Sequence, residues 1–425
     1  MARLWAFLLA GLLTAPAAFP AAAAGATVTL ACSGLGIASD LCRDGARSWA
    51  ERTGNEVRFV SPPKGAGEQL ALYQQLLAAG SADIDVFQID VVWPGILGAY
   101  FVDLRETVDQ ATIAQHLPVM IDAATVKGRL VALPWFADVG LLYVRKDLLE
   151  KHGRPVPGSW EDLRETAERI QRAERAAGND RMWGYVWQGR AYEGLTVNAL
   201  EWIASRNGGT IVDQDGTVTI DNPRAVEALT IARNWIHAIS PLGVLNYMEE
   251  EARGVFQSGN AVFMRNWPYA WTLVDGPDSP VRGKVAVAPL PKGGPDGRHA
   301  ATLGGQLLAV SKFSAHVPEA VDLVRSLTSP EEQKRRAIQG GANPTIPALY
   351  DDPQVLAANP FFADLAKSIG NTVARPAQVT GMRYNQVSSE FYSDVHEVLS
   401  GQQGAGETLA RLREALIRIS RGGRW

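Results

Sequence analysis

Residues 27–90 read TVTLACSGLGIASDLCRDGARSWAERTGNEVRFVSPPKGAGEQLALYQQLLAAGSADIDVFQID, and the fold class follows from how their periodicity changes. Thr27 to Ala31 alternates β-forming residues. Asp40 to Arg52 places Leu41, Ala46, Trp49 and Ala50 at helical spacing, and Gly54 supplies a C-terminal stop. Val57 to Val60 reads as a second strand. Glu68 to Ala79 reads as a helix with Leu70, Tyr73, Leu76 and Leu77 on one face, ended by Gly80, and Ile84 to Ile89 as a third strand. Strand, helix, strand, helix, strand is a βαβαβ unit. It predicts a mainly parallel sheet with ligand groups at the carboxyl ends of strands, which makes Ser33 to Ser39 and Asp90 to Trp93 site candidates. The glycines of Ser33-Gly34-Leu35-Gly36 invite comparison with a dinucleotide fingerprint. Ser39 occupies the third glycine position, however, and no acidic residue ends the second strand, so a tight turn is the better reading.

Upstream of this unit, residues 1–24 form a separate segment. Arg3 carries an early positive charge, Leu4 to Leu13 is apolar, and the stretch closes on small residues at Ala24, the pattern of a cleaved secretory signal peptide. The apolar run is about 10 residues, half of the roughly 20 that a membrane-spanning helix needs. The expected mature chain is therefore a soluble protein outside the inner membrane, 401 residues long (425 less 24). Export gives the only two cysteines a meaning. Cys32 closes the first strand and Cys42 lies in the first turns of the following helix, so an oxidising compartment is expected to join them.

Downstream the pattern repeats with different material. Leu130 to Leu133 and Gly140 to Val144 are strand-like, and Ser159 with Asp162 forms a capping pair ahead of an amphipathic helix from Trp160 to Ala176. Further helices are expected at Glu193 to Ser205, Asn222 to Ile239, Glu249 to Gln257, Pro318 to Leu327, Pro330 to Gln339 and Glu407 to Ile419. Strands are expected at Ala261 to Met264, Val285 to Ala288 and Leu307 to Val310. No linker separates two sequential domains. The expectation is an α/β protein of two discontinuous lobes with a hinge of several crossing segments: 25–135 plus 306–343, and 136–305 plus 344–425.

Charge and motif content remove whole classes of function. Lys and Arg total 41 against 45 for Asp and Glu, which leaves no basic field for nucleic acid or an anionic membrane. Two cysteines and six scattered histidines offer no metal-ligand set, and nucleophile elbows, zinc-protease motifs and Walker loops are absent from the sequence, so no catalytic residue, metal or other cofactor is called for. Carboxylates are plentiful, and a secreted glycoside hydrolase with paired carboxylates is the competing reading. What stands out instead is 12 tryptophans interleaved with single polar groups. The clusters are Trp183-Gly-Tyr185-Val-Trp187-Gln188, with Tyr192 and Glu193 close behind, and Arg265-Asn-Trp267-Pro-Tyr269-Ala-Trp271. Sugar rings stack their CH faces on such aromatics while carboxylates, amides and guanidinium groups take the hydroxyls. Pro268 makes Trp267 a turn residue or helix start, which favours a ligand-facing role. Trp93 and Trp187 are further candidates for a cleft wall.

The segments DVFQIDVVWPG (residues 85–95), LPWFADVGLLYVRKDLLEK (133–151), WGYVWQGRAYEGL (183–195), FMRNWPYAW (263–271) and GKVAVAPLP with ATLGG (283–305) together resemble the trehalose/maltose-binding proteins of sugar importers. The resemblance spans nearly the whole mature chain. It implies a monomeric, periplasmic, two-lobed clamp that holds a disaccharide and delivers it to the permease subunits of an ABC importer. It further implies that Asp90 and Asp138 bind hydroxyls from opposite sides of the cleft, Trp267 is the stacking platform with Tyr269 beside it, Arg375 donates from the tail, and Gly305 offers a backbone contact. Phe136 stands where the family often has Tyr, and Gln306 where it can have Trp, which removes a stacking surface. Asp40, beside Ser39, is the nearest acidic candidate from the first strand-to-helix loop, and Gln69 falls where some relatives carry Arg.

Overall fold

The computed structural model describes residues 25–33, 37–363, 365 and 372–425. The expected signal peptide and residues 34–36 of the tight turn lie outside the described residues. The βαβαβ unit forms as read: β1 (Thr27–Ala31), α1 (Ala38–Thr53), β2 (Glu56–Val60), α2 (Ala66–Ala78) and β3 (Val86–Asp90). Strand β1 pairs in parallel with both β2 and β3. Gly54 ends α1 in the left-handed conformation, at φ 74°, as its missing Cβ permits. The Cys32–Cys42 disulfide is present with its Cα atoms 6.3 Å apart. Closing so short a loop contributes on the order of 3 kcal/mol in the chain-entropy account.

Further along, β4 (Leu133–Val139) and β5 (Leu141–Arg145) are separated by Gly140 alone. After them come α3 (Trp160–Ala176), β6 (Trp183–Val186), α4 (Glu193–Ser205), α5 (Pro223–Trp235), α6 (Glu249–Gln257), β7 (Ala261–Asn266), β8 (Val285–Pro289) and β9 (Ala301–Val310). The chain ends with α7 (Val317–Leu327), α8 (Pro330–Gly340), β10 (Thr372–Val373), α9 (Tyr384–Leu399) and α10 (Ala405–Ile419). Ser159 and Asp162 form the predicted capping box on α3, and Asn222 caps α5 through the amides of Arg224 and Ala225.

Two sheets result. The first runs β10-β9-β3-β1-β2, with β4 also on β9; the second runs β8-β5-β7-β6. The first is mixed: β1–β2, β1–β3 and β9–β10 pair in parallel, as the opening unit predicts, while β9 introduces the reversed direction. Strand β9 pairs antiparallel with β3 and β4, and in the second sheet only β6 and β7 are parallel. The cause is the crossing topology, in which β9 returns from the second lobe against the direction of β3.

Each sheet has its own apolar core. One gathers Val28, Trp49, Phe87, Trp135 and Leu308; the other gathers Leu142, Trp160, Trp202, Phe263 and Leu412. Following core membership along the chain, the polypeptide passes between them at 137–139, 301–303, 327–337, 373–377 and 384–387. These passes differ in detail from the expected lobe limits. Ala377 and Tyr384 pack in the first core rather than the second, and Ala337 in the second rather than the first. Among the described residues no helix is long and apolar enough to cross a membrane.

Candidate binding cleft

A cavity of about 380 Å³ lies where the passes converge, bounded by residues from both cores. The pleat of β4 supplies one wall. Its burial alternates, so Trp135, Ala137 and Val139 enter the cores while Phe136 and Asp138 face the cavity. Strand β9 lies against it, with Gly304 opposite Asp138 and Gly305 opposite Ala137. Gly305 sits at φ +125°, and a Cβ there would stand 2.3 Å from the Phe136 carbonyl oxygen, so this approach of two backbones demands glycine. Gln306 follows and accepts a 3.4 Å hydrogen bond from Gln88.

From the first lobe, β3 ends at Asp90. Its Oδ1 accepts the Val92 amide at 3.1 Å and also the Arg375 guanidinium at 3.1 Å. Arg375 donates in addition to Glu193 at 2.8 Å and to the Leu303 carbonyl at 3.3 Å. Glu193 accepts from Ser388 at 2.6 Å and from the Tyr384 hydroxyl. Arg375 thus ties a carboxylate of the first lobe to one at the start of α4. Burial raises the Asp90 pKa, with the nearby Glu193 charge adding to it, against the opposing effect of Arg375.

The second lobe contributes the aromatic wall. Trp267, the residue after β7, lines the cavity, and the Arg265 guanidinium covers its ring at 3.9 Å from the centroid. Arg265 is held in turn by a fully buried pair with Glu201, at 2.6 and 3.0 Å, and Glu201 also accepts the Thr302 amide of β9 at 3.2 Å. The Trp267 indole donates to Glu249 at 3.2 Å and the Tyr269 hydroxyl to Glu250 at 2.6 Å. Both acceptors lie in the first turn of α6, where the helix dipole favours negative charge. Tyr192, half-buried just before α4, completes this side.

Asp138 differs from the other carboxylates. Among the described residues no group donates to its side chain, and burial pushes its pKa up to about 7, with Asp90 adding and Arg265 and Arg336 opposing. It is an acceptor left open toward the cavity.

Of the residues read from sequence, Asp90, Asp138, Trp267, Tyr269, Arg375, Gly305, Phe136, Gln306, Gln69, Tyr192, Glu193 and Trp93 all line the cavity. Gln69 is buried and committed to Tyr73 and the Gln88 carbonyl, at 3.0 and 3.4 Å. Two candidates fall elsewhere. Asp40 is exposed on α1, whose Ala38 and Leu41 reach the cavity instead, because the helical turn points Asp40 to solvent. Trp187 is fully buried in the second core, its indole donating to Ser240 at 3.1 Å and set edge-on to Trp202. Sequence reading missed Arg336 and the acidic first turn of α6. The run Glu249-Glu250-Glu251 at a helix start was the available signal. Among the described residues no cluster of His, Cys, Asp or Glu could hold a metal ion.

A cleft between two cores, spanned by several strands and lined by aromatics and carboxylates, has the form of a two-lobed binding protein. The chain matches the bacterial extracellular solute-binding protein family over residues 36–334, and it belongs to that family. A probable ABC transporter-binding protein of Deinococcus radiodurans is 49% identical over 394 residues, covering 92% of this chain and 93% of that one. The structure of T. maritima MalE3 with maltose bound superposes with a TM-score of 0.88 at 40% identity, covering 93% of this chain and all of the other. A mannitol-binding protein of Pseudomonas aeruginosa is 24% identical over 71% of this chain and 72% of its own. The protein is a solute-binding protein, not an enzyme, and the glycoside hydrolase reading is set aside.

Proposed function

We propose that the protein captures a disaccharide of the maltose or trehalose type in this cleft and delivers it to the permease of an ABC importer, acting as a periplasmic monomer after cleavage near Ala24. The observation that carries this reading is the pairing, across one cavity, of the Trp267 ring with the Asp90 and Asp138 carboxylates. A ring face and acceptors for hydroxyls are what a pyranose requires. The maltose-bound relative at 40% identity supports the sugar class, and the Deinococcus radiodurans relative supports the transporter. Sugar docks on Trp267 of the second lobe, Asp90 reaches it from the first, and the closed arrangement is favoured only when both lobes contact ligand.

A thermal-shift panel of maltose, trehalose, sucrose and mannitol tests this. Ligand at about 100 times its Kd stabilises the native state by about 2.7 kcal/mol, enough to raise the melting temperature measurably. The expected result is a shift with maltose or trehalose and none with mannitol. No shift with either disaccharide contradicts the proposal.

A further inference from the structure

Arg336 lines the cavity from α8, yet among the described residues no group accepts a hydrogen bond from its Nε or Nη1. The residue is only 2% exposed, and its Nε and Nη1 are enclosed without a hydrogen-bond partner. Among the described residues no carboxylate comes within ion-pair distance of it. Its guanidinium is instead stacked on Trp135, 3.7 Å from the ring centroid, with Phe136 at 5.0 Å. Stacking offsets part of the cost of burying a cation but satisfies none of its N–H groups. Burial lowers its pKa to about 9, so it remains charged at neutral pH, and the negative charges of Glu332 and Asp138 act against that lowering. Enclosed polar groups in native proteins are nearly always paired, and an exception calls for an explanation.

The chemistry of the pair is complementary. A guanidinium has five donors and no acceptor; an ionised carboxylate only accepts. Each sugar hydroxyl can do both, so two adjacent hydroxyls satisfy the two side chains together. An anionic ligand group would suit Arg336 alone, but Asp138, Asp90 and Glu193 share the cavity and would repel it. We propose that Arg336 is a ligand-binding residue of the cleft, donating to one hydroxyl oxygen of a neutral sugar whose adjacent hydroxyl donates to Asp138. This rests on the sugar-binding reading above and adds a specificity element to it: a sugar lacking either hydroxyl leaves a buried charge unpaired and is rejected.

The test uses Arg336→Met, which keeps an unbranched side chain on Trp135 and removes the unpaired charge. Calorimetric titration with maltose should show at least a tenfold loss of affinity, while the melting temperature of the sugar-free variant stays level or rises. A purely structural arginine would give the opposite pattern, a lowered melting temperature with unchanged affinity. A set of monodeoxy-maltoses adds a readout that packing would not move. One of them should bind wild type at least tenfold more weakly than maltose does, yet bind wild type and variant alike. Maltose affinity within twofold of wild type, or deoxy-sugar losses that are equal in both proteins, would overturn the role of Arg336. Tighter binding of a glucuronate-ended disaccharide than of maltose, abolished in the variant, would overturn the neutral-hydroxyl assignment. Failure of wild type itself to bind maltose or trehalose is visible in the control arm and overturns the sugar reading, and the role of Arg336 with it.

Discussion

Asp138 faces the cleft with no donor to its carboxylate among the described residues and its pKa raised to about 7 by burial, which gives binding and folding opposite dependences on pH. As a ligand acceptor it must be ionised, so sugar affinity should fall as pH drops below about 7. For folding, the native state binds a proton that the unfolded chain, near its ordinary carboxylate value, does not. Stability contributed through this group therefore rises as pH falls from about 7 toward about 4. Arg265, Arg336 and Asp90 are the charges that tune it. Asp138→Asn should accordingly raise the melting temperature at pH 8, weaken sugar binding at that pH, and flatten the pH dependence of affinity. Parallel melting and titration series at pH 5.5 and 8 check this; a variant less stable than wild type at pH 8 would show that the carboxylate is paired after all. At this scale the sequence was informative where residue type and backbone position coincide, as for Asp90 at a strand end or Trp267 before proline. It was silent on Arg336, because a cationic residue among Glu331, Glu332, Lys334 and Arg335 reads as a solvated helix face, whereas in the fold its guanidinium turns inward onto the Trp135 ring.

The joint between β4 and β5 shows what holds the wall in place. Gly140 leaves room for the buried Arg265–Glu201 pair: a Cβ there would lie 2.2 Å from Glu201 Oε1 and 2.6 Å from Arg265 Nη2. That pair stands behind Trp267 and reaches the β9 amide of Thr302. Displacing one partner of a buried ion pair costs about 3–5 kcal/mol, so Gly140→Ala should lower unfolding stability by roughly 3 kcal/mol. Denaturant unfolding measures it, and a change below about 1 kcal/mol would mean that the pair relaxes freely. Helices with caps were legible from sequence, the Ser159–Asp162 box being the clearest. Strand β9 was read only from Leu307, because Gly304 and Gly305 look like breakers; in the fold they are the places where β9 meets Trp267 and β4. Trp187, just after β6, read as a candidate cleft wall, yet both it and Tyr185 are core, where their rings pack with Trp160, Trp202 and Trp235.

Across the whole molecule, two cores are joined by five short passes, and the cavity lies at their junction. The two-lobe organisation was legible because the alternation of strands and helices never breaks for a linker. The lobe limits were not, since a residue such as Tyr384 joins the first core through a side chain on a helix that otherwise packs in the second. The Asp90–Arg375–Glu193 chain links side chains of the two lobes. Trp267 is where the account is most exposed to test. Calorimetric titration of maltose into wild type and Trp267→Ala is predicted to show one saturable site in wild type and at least a tenfold weaker one in the variant, with both proteins equally folded. Equal affinity in the two proteins would contradict it.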